Sequence, residues 1–137
     1  PPNSAKWGDA LAMGYALIPG VLIRGQAKLG LDAVDLAILL NVVLHWWSAE
    51  DWPYPQPRVL AKRIGVSTRT IERRLESLQQ RGFLVRHAAE KSSDGIARRR
   101  IELTGLVRRL EAFARAGLAM RQEFALLGPK RRGRADV

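Results

Sequence analysis

The stretch Arg58-Val-Leu-Ala-Lys-Arg-Ile-Gly-Val-Ser-Thr-Arg-Thr-Ile-Glu-Arg-Arg-Leu75 decides how this chain folds. Pro57 suits the first turn of a helix over residues 58–64, where its missing N–H is harmless. Leu60, Ala61 and Ile64 give that helix an apolar face. Gly65 closes it, as a residue able to take a positive φ. Val66 is a buried link, Ser67 is the next N-cap, and residues 68–80 form the next helix. Ile71, Leu75 and Leu78 share one stripe at i, i+4 and i+7. Together these apolar positions lock the two helices across a tight Gly-Val-Ser turn.

Upstream, Trp52-Pro-Tyr-Pro-Gln-Pro57 forbids helix, with three prolines in six residues. Before it, residues 33–47 read as a helix apolar nearly all round, hence buried. Asp32 fits its N-cap, and Asp35 acts as an acidic capping-box analogue. A short helix over 21–28, stopped near Gly30, precedes that one, and residues 15–20 suggest an extended segment. Residues 1–14 carry little periodic signal and read as a loose arm.

Downstream, Arg81-Gly82 ends the second helix. Residues 83–87 and 96–103 look like two strands joined by a polar turn, Glu90-Lys-Ser-Ser-Asp-Gly95, whose Asp-Gly is a hairpin signal. Ala97, Arg99, Ile101 and Leu103 share one face of the second strand, and Arg98, Arg100 and Glu102 the other. Thr104 can cap a final helix over 104–128. Its apolar positions Leu106, Leu110, Phe113, Met120, Phe124 and Leu127 follow a heptad rhythm that Gly117 interrupts. Residues 129–137 read as a basic disordered tail.

Composition narrows the function. The chain of 137 residues carries a formal net charge of +10. Residues 57–103 hold 12 basic and 5 acidic residues, whereas residues 1–56 hold 3 and 5. The positive field is thus centred on the helix pair and hairpin, which points to a polyanionic partner. With no cysteine and two histidines, no disulfide framework, thiolate metal site or cysteine nucleophile is expected. No Gly-rich phosphate loop or nucleophile–base pair appears, so the expectation is a non-enzyme with no metal, no cofactor and no catalytic residue. The most apolar stretch, residues 36–47, falls short of the roughly 20 residues that span a bilayer, so no membrane role is expected. No charged segment precedes an apolar run at the N-terminus, so no signal peptide is expected and the cytoplasm is the default compartment. His45 and His87 read as structural or surface residues. Trp46, Trp47 and Trp52 read as core and loop-anchoring residues, with base stacking the less favoured role.

The order helix, helix, tight turn, helix, β-hairpin resembles winged helix-turn-helix proteins of the bacterial kind, found in transcriptional regulators and in plasmid or phage replication initiators. Tyr54, Pro55, Leu60, Ala61, Gly65, Val66, Ser67, Arg69, Thr70, Ile71, Arg73, Leu78 and Gly82 carry the resemblance, which covers residues 15–103. It implies a mainly α fold with a small β-hairpin, here with a long C-terminal helix appended. It also implies sequence-specific binding of double-stranded DNA, with the recognition helix in the major groove.

At about 100° per residue, Arg69 and Arg73 lie roughly 160° and 200° from Ile71, directly away from the core. Arg69 and Arg73 are therefore the expected base readers, since an arginine can engage guanine O6 and N7 together. Ser67, Thr68 and Thr70 at the helix start suit phosphate oxygens, and Arg74 completes the set. Glu72 and Glu76 flank this face. Arg86, Lys91, Arg98 and Arg100 on the hairpin, with Arg58 beside it, are expected on flanking backbone or the minor groove. Arg99 shares the apolar strand face and is left out. The heptad stripe can dock on its own domain or pair with a second copy. Pairing is the expectation, because a two-fold dimer doubles a short site. A dimeric repressor is the leading reading and a replication-initiator module the alternative; the target site and any small-molecule effector are not legible.

Overall fold

The computed structural model describes residues 2–127, with side-chain surroundings for residues 3–121. In chain order the helices are α1 (Pro2–Trp7), a 3-10 segment (Gly8–Met13), α2 (Gly20–Arg24), α3 (Ala33–Leu44), α4 (Pro57–Ile64) and α5 (Thr68–Gln80). The hairpin follows as β1 (Val85–Arg86), β2 (Glu90–Lys91), β3 (Ala97–Arg98) and β4 (Ile101–Glu102), and α6 (Thr104–Leu127) ends the described chain. The fold is a winged helix-turn-helix, mainly α with a small antiparallel hairpin, extended by a long C-terminal helix.

The local signals act as their chemistry requires. Asp32 accepts from the Asp35 N–H at 2.9 Å, and Asp35 reciprocates on the Asp32 N–H at 3.2 Å, closing a capping box on α3. Gly65 takes φ 84° and returns its N–H to the Ala61 carbonyl at 2.8 Å, turning the chain from α4 into α5. Ser67 caps α5 by accepting from the Thr70 N–H at 3.0 Å. One core then joins Leu22, Ile38, Leu39, Val42, Leu60, Ile71, Leu75 and Leu78 with Phe83, Leu84, Ile101 and Leu103.

Several expectations need correction. Within the arm expected at 1–14, residues 2–13 are wound into α1 and the 3-10 segment, yet neither buries a residue among those described. Helix α3 stops at Leu44, where the His45 and Trp46 N–H groups fall back on the Val42 and Val43 carbonyls as a tightened last turn.

The hairpin is not two continuous strands. Val85 and Arg86 pair with Glu102 and Ile101, whereas Glu90 and Lys91 pair with Arg98 and Ala97. Three residues, 87–89, therefore face two, 99–100. The extra residue bulges the ladder and re-aims the side chains beyond it. Ile101 also donates its N–H to the Pro53 carbonyl at 2.8 Å, tying the hairpin to the proline-rich loop.

Thr104 does not cap α6 as expected. Its hydroxyl donates to Glu102 Oε2 at 2.6 Å, while the Leu106 N–H finds the Phe83 carbonyl at 2.9 Å. The helix start thus lies backbone to backbone on the turn after α5, where a Cβ on Gly105 would sit 1.9 Å from the Gly82 carbonyl oxygen.

The heptad stripe divides. Leu106 and Leu110 are buried in their own domain, and Phe113 lies so close to Gly25 that a Cβ there would meet its ring at 2.8 Å. These three positions, expected at a dimer interface, are occupied within the protomer because the core of α2 and the hairpin needs a lid. Met120 remains 70 % exposed. The Phe124 and Leu127 side chains, and the expected basic tail at 129–137, lie outside the described residues.

Candidate nucleic-acid interface

Helix α5 presents two edges. On the outward one, Arg69 and Arg73 are exposed, as their angular positions require, and meet no carboxylate within ion-pair distance among the described residues. Both line a groove of about 410 Å³ whose other walls are Glu72, Glu76 and Gln79 of α5 and Arg86 and Arg99 of the hairpin. The groove is where the outer face of α5 meets the wing.

At the start of α5 the Ser67 hydroxyl is already committed. Ser67 accepts from the Thr70 N–H and donates its own hydrogen to Thr70 Oγ1 at 3.0 Å. Thr68 is exposed. Ser67 therefore shapes the helix end, while the Thr70 O–H, which only accepts from Ser67, and Thr68 can still donate to an anion beside the backbone dipole.

Arg74 does not belong to the outward edge. It lies about 60° from Ile71 on the helical wheel, which turns it towards α3. There it pairs with Asp32 and reaches Asp35 Oδ1 at 3.2 Å. Arg81 closes the same cluster, with Nη2 on Asp35 Oδ2 at 3.0 Å and Nη1 on the Gly30 carbonyl at 2.8 Å. Asp35 is only 3 % exposed. The Arg74 hydrogen bond, aided by the Asp35 N–H, holds the Asp32 carboxyl below its usual range, and Asp32 in turn raises the Arg74 guanidinium.

The hairpin arginines also divide. Arg86 is drawn against α5, its side chain 13 % exposed, with Nη1 on Glu72 at 2.8 Å; its backbone N–H donates to Gln79. It acts as a strut between wing and helix. Arg98 pairs with Asp94 at 2.9 Å inside the turn, and Arg98 first, then Ser92, pulls the Asp94 carboxyl far down. Arg100 pairs with Asp51 at 2.9 Å and lies over the Tyr54 ring at 4.9 Å. Arg98 and Arg100 thus face the proline-rich loop, away from the α5 groove. Lys91 is exposed near the hairpin tip, and Arg58 is exposed at the start of α4 with only Gln56 Oε1 nearby at 3.3 Å.

Arg99, set aside in the sequence reading, is the side chain that reasoning missed. Opposite the bulge, Arg99 is exposed rather than turned into the core. Its guanidinium clips the His87 carbonyl at 2.8 Å and the Arg86 carbonyl at 3.2 Å and joins the wall of the α5 groove.

His87 meets Glu102 at 2.9 Å, and His45 meets Arg63 at 3.0 Å. Among the described residues no group of three or more His, Cys, Asp or Glu side chains could hold a metal ion. None of the described helices is long and apolar enough to cross a membrane.

The crystal structure of the N-terminal domain of DnaD protein from Geobacillus kaustophilus HTA426 is similar over 90 % of this chain and 97 % of that one, with 23 % identity and a TM-score of 0.59. The transcriptional regulator PA3341 aligns over 80 % of this chain and 73 % of its own, at 29 % identity and a TM-score of 0.43. A possible transcriptional regulator from Methanosarcina mazei Go1 aligns over 74 % and 81 %, at 16 % identity and a TM-score of 0.45. No curated protein matches the chain. The family match spans residues 18–116, from the segment before α2 to the middle of α6, and so takes in the whole core, the helix pair and the wing: this chain belongs to the DnaD N-terminal domain family.

Proposed function

We propose that this protein binds double-stranded DNA sequence-specifically, with α5 in the major groove and the wing on flanking backbone or in the minor groove. The carrying observation is the pair Arg69 and Arg73, exposed on one edge of a capped helix and free of carboxylate partners among the described residues. Arg99 and Lys91 supply wing contacts, Glu72 holds Arg86, and Glu76 is free to accept from cytosine. Family membership favours a role in replication initiation over transcriptional repression. The reading assigns no catalysis and no cofactor, and places the protein in the cytoplasm. It includes a homodimer formed through the distal half of α6, where Leu118 and Met120 are exposed.

Selection of binding sites from a random duplex pool tests it. The expected result is an enriched motif whose binding weakens with salt by a log–log slope of about −0.9 per neutralised phosphate. Direct repeats of the motif support the initiator role, and an inverted repeat the repressor. A pool that enriches nothing would overturn the sequence-specific reading.

A further inference from the structure

The duplex reading leaves Trp46-Trp47 and the run Trp52–Pro57 without a role. Trp46 stacks on Trp52, ring centroids 4.9 Å apart and planes within 24°, which pins the loop after α3. Trp47 is turned the other way and is 75 % exposed. An indole left in water is a large apolar surface awaiting a partner.

Trp47 borders a cavity of about 540 Å³ that also meets Trp52, Tyr54, Arg58, Arg63 and Arg98. The charge there is mostly uncompensated. Among the described residues Arg63 reaches only Asn41 Oδ1 at 3.3 Å and His45 Nε2 at 3.0 Å, and no carboxylate. Partial burial, then the Arg63 cation, pushes the His45 imidazole below its ordinary range. Among the described residues Arg58 reaches only the Gln56 amide. The one carboxylate at the rim, Asp51, is already paired with Arg100. From the cavity the cationic strip continues along α4 through Lys62 into a second depression.

An aromatic platform beside unpaired guanidinium groups fits a nucleobase with its phosphate. The faces of duplex bases are stacked and out of reach, so the base must come from an unpaired strand. We propose that this cavity, between the α3–α4 loop, α4 and the hairpin, binds single-stranded nucleic acid, stacking a base on Trp47 and holding the phosphate on Arg58 and Arg63. It shares no lining residue with the α5 groove, so it does not depend on the duplex reading.

The test is fluorescence anisotropy of the 137-residue chain with a labelled DNA strand of about 12 nucleotides, beside an abasic strand of equal length and a duplex. Trp47→Ala is expected to weaken single-strand binding about tenfold, from the usual value of one stacked base, with Trp47→Phe retaining most of it. The abasic strand should bind wild type about as weakly as the normal strand binds Trp47→Ala. The double variant Arg58→Ala/Arg63→Ala should flatten the salt slope by about 0.7, the value for the one phosphate the two arginines share on a single strand. Duplex affinity should be unchanged in Trp47→Ala, and Arg69→Ala should leave single-strand affinity intact. Equal single-strand affinity for wild type and Trp47→Ala, or for normal and abasic strands, would overturn the proposal. So would occupation of the cavity by a peptide that oligonucleotides cannot displace. Loss of duplex binding with single-strand binding kept would count against the α5 reading alone.

Discussion

On the edge of α5 that faces α3, Arg74 and Arg81 converge on the buried carboxylate of Asp35. On the opposite edge Arg69 and Arg73 are exposed and meet no carboxylate among the described residues. Four arginines of one helix and its cap thus divide between two kinds of work. One pair satisfies acids whose desolvation would otherwise weigh against folding. The other pair keeps its charge available at the surface. The contrast shows why a count of basic residues overstates an interface: Arg74, Arg86, Arg98 and Arg100 all add to the net charge, yet each is engaged by a carboxylate of its own chain.

The contrast can be broken from either side. Asp35→Ala should have the largest effect, removing the acid that both inner arginines share along with half of the α3 capping box. A loss of about 3 kcal/mol in urea unfolding is expected, at the lower end for a broken buried pair because the arginines are partly solvated. A loss within about 0.5 kcal/mol would mean that the cluster is ornamental. Arg69→Ala and Arg73→Ala should do the reverse: unfolding unchanged within about 0.5 kcal/mol, and affinity for the selected duplex down by about 1–3 kcal/mol each, far more than for random duplex. Equal losses on both DNAs in titrations would reduce these residues to phosphate clamps. Arg74→Ala should cost about 1 kcal/mol of stability, discounted for its solvent exposure, and leave duplex discrimination unaltered.

The smallest effect concerns acid. Asp32 has a lower carboxyl pKa in the folded protein than its ordinary 3.8, first because of Arg74. A depressed carboxyl contributes stability that is present above about pH 4 and fades as pH falls through the folded value. Unfolding measured from pH 6 down to pH 2 should therefore show a shallower acid loss in Arg74→Ala than in wild type. Parallel curves would remove Asp32–Arg74 from the acid response.

Much of this is legible in the amino-acid sequence alone. The Asp32–Asp35 box, the Gly65 turn, the Ser67 cap and the span 68–80 all appear where the sequence places them, because each rests on groups within four residues of one another. The outward direction of Arg69 and Arg73 was equally accessible, as a consequence of helical periodicity. Other features were not. Arg74 sits between the apolar and solvent edges of its helix, so only the position of α3 decides which it joins. Arg99 was misjudged because strict alternation fails across a bulge. Leu106, Leu110 and Phe113 follow a heptad rhythm that fits docking on α2 as well as pairing with another copy.

The sequence by itself therefore determined the elements of the helix-turn-helix, their caps and the outward edge of α5, since short-range hydrogen bonding and helical geometry act within a single segment. The tertiary structure decided which cations are left unpaired, where the wing presses on α5 and which half of α6 is covered. Those outcomes depend on approaches between residues tens of positions apart, such as Arg81 to Asp35, Arg100 to Asp51 and Gly105 to Gly82. No local pattern encodes such distances; they emerge when burial of one shared core sets the elements side by side.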